Sequence, residues 1–202
     1  MKVSAVLFDA DGVLTLPEEA FSVVYARSHG LDNEPFEHFF RNEWRDFVTG
    51  KRDLKEAITN NPELWQWDGD ADSLLDYWFK SEDIRNDALI ALIRELDEKG
   101  LACYLATEQE KYRAAYMKDV MFKGLFRDQF VTCEIGFKKS ETAFYEEIIR
   151  RLQAKQPTIT PGEIVFFDDS QDKVDTAHSV GINAQLYTGI DHVKEVLSDW
   201  AG

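Results

Sequence analysis

"SAVLFDADGVLT" (residues 4–15) runs an apolar strand straight into two carboxylates, Asp9 and Asp11, one residue apart. Side chains at i and i+2 point the same way while a chain stays extended, so these acids are placed to converge on one small volume. At about 5 Å and an effective dielectric near 20, two such charges repel by roughly 3 kcal/mol. A fold that accepts this repulsion is expected to hold something cationic between them. The plainer alternative is a solubilising strand end followed by an Asp-Gly turn.

Four further apolar runs resemble the first. Val3–Phe8, Ala102–Ala106, Phe130–Cys133, Ile164–Phe167 and Ala184–Tyr187 all read as buried strands. Between the later ones lie the helical patterns Asn86–Glu98, Glu141–Gln153 and Asp172–Val180, with apolar residues at three- and four-residue steps. Strands alternating with helices predict an α/β fold, a doubly wound parallel sheet with helices on both faces. The stretch from Pro17 to Asp83 departs from this pattern. It reads as amphipathic helices over Glu18–Ser28, Pro35–Val48, Asp53–Asn60 and Asp72–Lys80, rich in rings that either fill a small helical core or line a cleft.

Composition narrows the range of partners. The 202 residues are 44% hydrophobic, enough for one large domain or a core with an insertion, and 23 basic against 38 acidic residues leave a formal charge of −15. No basic field is available to gather nucleic acid or an anionic membrane. The first apolar run stops at a carboxylate after six residues, which fits neither a signal peptide nor a membrane span, so a cytoplasmic protein is expected. Cys103 and Cys133 lie in strand-like runs and read as core residues rather than a disulfide framework.

The strand ends carry the chemistry. After the first come Asp9 and Asp11, after the second Thr107 in "YLATEQ", and after the fourth Asp168 and Asp169 in "VFFDDSQD". Past the third, "EIGFKKSETAFY" offers Lys139, with Lys138 beside it as the competing choice. Open parallel sheets bind ligands beyond the carboxyl ends of their strands, where strand order reverses, so these regions predict one phosphate-handling site. A calcium loop fits poorly, because Val13, Leu14 and Ala20 stand where an EF-hand needs other residues. His29, His38, His178 and His192 have no spacing typical of a metal site or a triad.

On these motifs, the DxDGV of Asp9–Val13, the strand-end Thr107, the Gly-x-x-Lys of Gly136–Lys139 and the acid pair Asp168–Asp169, the chain resembles the haloacid dehalogenase-like superfamily. Within it, the similarity is to phosphatases with a helical cap inserted after the first motif, of the beta-phosphoglucomutase and phosphoglycolate phosphatase type. The resemblance implies strand order 5-4-1-2-3, a core of residues 1–15 and 85–202, and a cap over residues 16–84. It assigns Asp9 as the nucleophile that forms an aspartyl-phosphate and Asp11 as general acid and base. Thr107 would donate to the phosphoryl group, and Lys139, partnered by Asp168, would hold that group against Asp9. A Mg²⁺ ion would bind through Asp9, the Asp11 carbonyl and Asp169 within the Asp168–Asp169 pair.

Two positions depart from the family pattern. Glu108 replaces a frequent Asn and is a candidate for binding a substrate cation or hydroxyl, and Ser140-Glu141 replaces the usual Pro-Asp. Asp172 could add to the metal shell or simply favour a helix start. In the inserted segment, "TGKRDL" offers Lys51 and Arg52 as anion contacts. The expected activity is Mg²⁺-dependent hydrolysis of a small phosphorylated metabolite by a monomer. A sugar phosphomutase and a phosphate-binding regulator without turnover are the alternatives, and a receiver domain or a dehalogenase fits the motifs less well.

Overall fold

A computed structural model of the chain describes residues 2–198; residues 1 and 199–202, which fall in the ranges expected for the core, lie outside the described residues. The sheet is built from β1 (Ala5–Phe8), β2 (Ala102–Thr107), β3 (Gln129–Val131), β4 (Ile164–Asp168) and β5 (Asn183–Leu186). All four pairings are parallel and the order is β3-β2-β1-β4-β5, the predicted order read from the other edge. β1 lies at the centre, with Phe8 level with Leu105 of β2 and Phe167 of β4. Every residue of β1, β2 and β4 is buried, as expected for strands covered on both faces.

In chain order the helices are α1 (Phe21–His29), α2 (Glu34–Asn42), α3 (Trp44–Val48), α4 (Leu54–Thr59), α5 (Pro62–Trp65), α6 (Ala71–Ser81), α7 (Asp87–Glu98), α8 (Lys111–Tyr116), α9 (Thr132–Ile135), α10 (Thr142–Lys155), α11 (Gln171–Ser179) and α12 (Ile190–Val196). Two-residue alternation along each strand divides the core in two. Val6, Phe8, Cys103, Leu105, Val165 and Phe167 pack against α7 and α12, while Leu7, Tyr104 and Phe166 pack against α10 and α11.

Helices α1–α6 surround a third apolar cluster. Phe21, Tyr25, Phe36, Phe39, Phe47, Trp65 and Trp78 are buried in it, so most of the rings in this segment fill a core of their own. Tyr112 and Tyr116 lean on it from the sheet side. Two adjacent strands of chain join this layer to the sheet: Leu16 N–H donates to Ile84 O at 2.8 Å and Asn86 N–H to Leu14 O at 2.9 Å.

Several elements differ from expectation. Cys133 is not in a strand: β3 ends at Val131, the chain coils at once into α9, and the side chain is half-buried. The pattern over Pro35–Val48 breaks into α2 and α3 at Glu43, where Asp46 N–H bonds to the carbonyl three residues back at 3.1 Å. The helix Lys111–Tyr116, which continues as a wide π-helical turn through Met121, and α12 have no counterpart in the sequence reading. The first starts at a glutamate, Glu110, whose carboxylate accepts Tyr112 N–H at 2.8 Å and Arg113 N–H at 2.5 Å. Glutamate is not among the preferred capping residues, so the start carried no signal. No helix among the described residues is long and apolar enough to cross a membrane.

Candidate active site

β1 and β4 are neighbours and stop together, which brings their acids into one place. Asp9 follows β1, Asp168 closes β4 and Asp169 comes next; one carboxylate oxygen from each lies within 4.8 Å of the others. Lys139 reaches the same point from the loop after α9, with Nζ 2.6 Å from Asp9 Oδ2 and 2.7 Å from Asp168 Oδ2. Asp9, Lys139 and Asp168 are buried, and Asp169 is the exposed member.

The electrostatics follow from that burial. Desolvation pushes the Asp9 carboxyl up to about 7, against the pull of Lys139 and with Asp168 adding to the rise. Burial also raises Asp169, with Asp168 contributing. For Lys139 desolvation opposes the charge, yet Asp9 and Asp168 overcome it and hold the ammonium above its ordinary range. Three carboxylates against one ammonium leave two negative charges and an all-oxygen donor set, which suits a hard divalent cation. Asp168 spends its oxygens on Lys139 and on Ser170 N–H at 2.9 Å. Asp9 and Asp169 are the better placed to hold the ion.

Gly12 makes the close approach possible. Its φ is +78°, and a Cβ there would stand 2.0 Å from Asp169 Oδ2. The Asp-Gly of the opening motif therefore supplies both a left-handed turn and room for a carboxylate.

The same turn separates the two acids that the sequence placed together. After Asp9 the chain leaves the extended path, with Leu14 N–H and Thr15 N–H both folding back onto Ala10 O. The Asp11 carboxylate consequently lies outside the acid cluster, which corrects the expectation that both carboxylates converge on one cation. Its partners are Thr15 Oγ1 at 2.9 Å, Gln109 Nε2 at 2.6 Å and the Arg113 guanidinium at 2.8 Å. Arg113 and Gln109 are site residues that the sequence reading missed, and no motif marked them.

Thr107 ends β2 two residues beyond Leu105, the partner of Phe8, so it stands beside the first residues after β1. It is buried. Glu108 faces the lysine loop: its carboxylate accepts Lys139 N–H at 3.2 Å and pairs with Lys138 Nζ at 3.0 Å. Lys138 is thereby held at the rim while Lys139 enters the cluster. Glu141 accepts Lys138 N–H at 2.9 Å and meets Arg45 of α3 at 3.2 Å. Asp172 bonds to the Ser170 hydroxyl at the start of α11 and is not in the acid cluster.

Asp11 and Glu108 open onto a cavity of about 480 Å³ whose far wall includes Phe40, Trp44 and Trp78. Lys51 and Arg52 are not part of it. They line a separate cavity of about 760 Å³ beside α4, where Arg52 pairs with Glu43 at 2.7 Å. Burial pushes the Cys103 and Cys133 thiols up to about 12, which disfavours their thiolate forms.

A sequence model of the haloacid dehalogenase-like hydrolases matches residues 3–181. No curated protein matches the chain. Among solved structures the fold is similar to a HAD family enzyme from Bacteroides thetaiotaomicron, with 20% identity over 98% of this chain and 99% of that one and a TM-score of 0.76. It is also similar to a HAD-like family hydrolase from Porphyromonas gingivalis, 17% identical over 98% of both chains with a TM-score of 0.76. A HAD phosphatase from Thermococcus onnurineus shares 22% identity over 98% of both chains, with a TM-score of 0.63. The Bacteroides enzyme has also been solved in complex with magnesium and inorganic phosphate.

Proposed function

The chain belongs to the haloacid dehalogenase-like hydrolases, and from that premise we propose that it is a Mg²⁺-dependent phosphatase of a small phosphomonoester such as a sugar phosphate. The observation that carries the reading is the cluster of Asp9, Lys139, Asp168 and Asp169 at adjoining strand ends, with the buried Thr107 at the end of β2. The magnesium and phosphate complex of the Bacteroides enzyme, which shares this fold, supports it.

Asp9 and Asp169, with the main-chain carbonyl of Asp11, would hold the metal, which would supply positive charge to offset that of the phosphoryl group. An Asp9 carboxylate oxygen attacks phosphorus, the bond from phosphorus to the leaving oxygen breaks, and Asp11 delivers a proton to that oxygen. Water then attacks the aspartyl-phosphate, giving its proton to Asp11 and releasing phosphate and free Asp9. Lys139, oriented by Asp168, and Thr107 grip the phosphoryl oxygens throughout.

Residues 16–84 act as the cap of this site. Their own apolar cluster and the paired segments at Leu16 and Ile84 support a unit that can seat as a body. The cavity beside Asp11 lies on the leaving-group side, and its volume and aromatic wall suit a ring of sugar size. A phosphomutase needs a second anion contact, and the placement of Lys51 and Arg52 in the other cavity favours hydrolysis.

Purified protein is expected to hydrolyse p-nitrophenyl phosphate with Mg²⁺ and to lose that activity with EDTA and in Asp9→Asn. Full activity in Asp9→Asn would overturn the assignment.

A further inference from the structure

The buried guanidinium of Arg113 has no part in the chemistry above, yet it grips the group assigned to move protons. It is 8% exposed. Nη2 stands 2.8 Å from Asp11 Oδ1 and Nη1 stands 3.3 Å from Asp11 Oδ2. The same Nη1 lies 3.1 Å from Glu82 Oε2.

Glu82 is in turn a junction. Its Oε1 accepts the N–H of Phe21 at 3.0 Å and its Oε2 accepts the indole N–H of Trp78 at 2.9 Å. Phe21 opens α1, and Trp78 lies in the last turn of α6. One carboxylate therefore ties the beginning of the helical layer to its end, at the point where both meet the sheet.

We infer that Arg113 and Glu82 are positioning residues through which the seating of the helical layer fixes the Asp11 carboxylate beside the leaving group. A guanidinium fork gripping both oxygens sets the plane of a carboxylate as well as its place. Without Arg113, Oδ1 keeps only Thr15 and Oδ2 only Gln109, so each oxygen loses one of its two donors and the carboxylate is held less firmly. A misplacement of about 1 Å in a group of this kind costs on the order of 100-fold in rate. Burying the arginine is tolerable because two carboxylates pair with it.

This inference rests on the phosphatase reading, and leaving-group dependence separates the two. With Mg²⁺, kcat/KM reports phosphoryl transfer onto Asp9 without the later hydrolysis. p-Nitrophenolate departs with little help, whereas phenolate gains from a proton, a contribution worth about 100-fold or more from a well-placed acid. Arg113→Gln is expected to lower kcat/KM on phenyl phosphate at least about 30-fold and on p-nitrophenyl phosphate less than about 5-fold. Arg113→Lys should recover part of the loss. Glu82→Gln, whose single amide oxygen can still accept from Phe21 N–H while its NH2 end no longer accepts from Arg113 or Trp78, should show the same pattern more weakly and carries the test if Arg113→Gln fails to fold. Equal losses on the two esters, or no loss in a folded variant, would overturn the positioning role. A wild-type protein that hydrolyses neither ester would instead defeat the phosphatase reading itself.

Discussion

Lys139 Nζ lies 2.6 Å from Asp9 Oδ2, and both side chains are all but closed to solvent. Neither charge is hydrated, so each depends on the other, and Asp168 at 2.7 Å completes the arrangement. Removing one partner of such a group costs more than the group contributes as a whole, because an uncompensated charge stays behind.

Lys139→Met should therefore be both inactive and unstable. We expect a loss of about 3–5 kcal/mol, read as a large fall in Tm, with activity down at least about 100-fold. Lys138→Ala should stay within about threefold of wild type, because its ammonium meets only Glu108 at the rim. Comparable losses in the two variants would contradict the choice of lysine.

The metal-free protein should lose stability as pH rises through neutrality. Asp9 sits at about 7 in the fold against an ordinary value of 3.8, driven up by burial, so between these values the folded state keeps a proton that the unfolded chain has released. The unfolded state then binds fewer protons and stability falls with pH. The contribution is fully present below the ordinary value and gone above about 7. Asp169, also raised by burial, acts in the same direction. Asp53 and Glu147, held down to about 2 by their cationic partners despite burial at Asp53, act oppositely but only in acid. In EDTA, Tm should decline from pH 5 to 7.5, less steeply in Asp9→Asn and less steeply again with Mg²⁺, which favours the ionised form. A rising Tm over this window would refute it.

Gly12→Ala separates metal binding from folding. The left-handed turn adds a strain of about 1–2 kcal/mol, a modest shift in Tm. The new methyl must also displace the Asp169 carboxylate, which its Cβ would otherwise meet at 2.0 Å. The Mg²⁺ concentration for half-maximal activity is expected to rise about 10-fold or more. An unchanged Mg²⁺ requirement would remove Asp169 from the metal site.

Lys51→Ala and Arg52→Ala should leave KM for p-nitrophenyl phosphate within about twofold of wild type, the usual limit for surface changes away from a site. Both side chains line the cavity beside α4 rather than the one at Asp11. A large rise in KM would place substrate in that other cavity.

Sequence alone determined the sheet and the residues at its strand ends. Strand burial writes itself as unbroken apolar runs such as Ala5–Phe8 and Ile164–Phe167, and acids that interrupt such runs are visible without coordinates. Spacing from Gly136 pointed to Lys139, but burial in the acid cluster is a three-dimensional fact, as is the pairing of Lys138 with Glu108. Tertiary structure alone decided that Asp11 turns away from Asp9 toward Gln109 and Arg113, residues 98 and 102 positions along the chain. It also decided that Lys51 and Arg52 face another cavity. The physical reason is range: periodicity and strand ends report on neighbours a few residues apart, whereas salt-bridge partners and cavity walls depend on how separate elements dock, and one arginine in a sequence looks like any other.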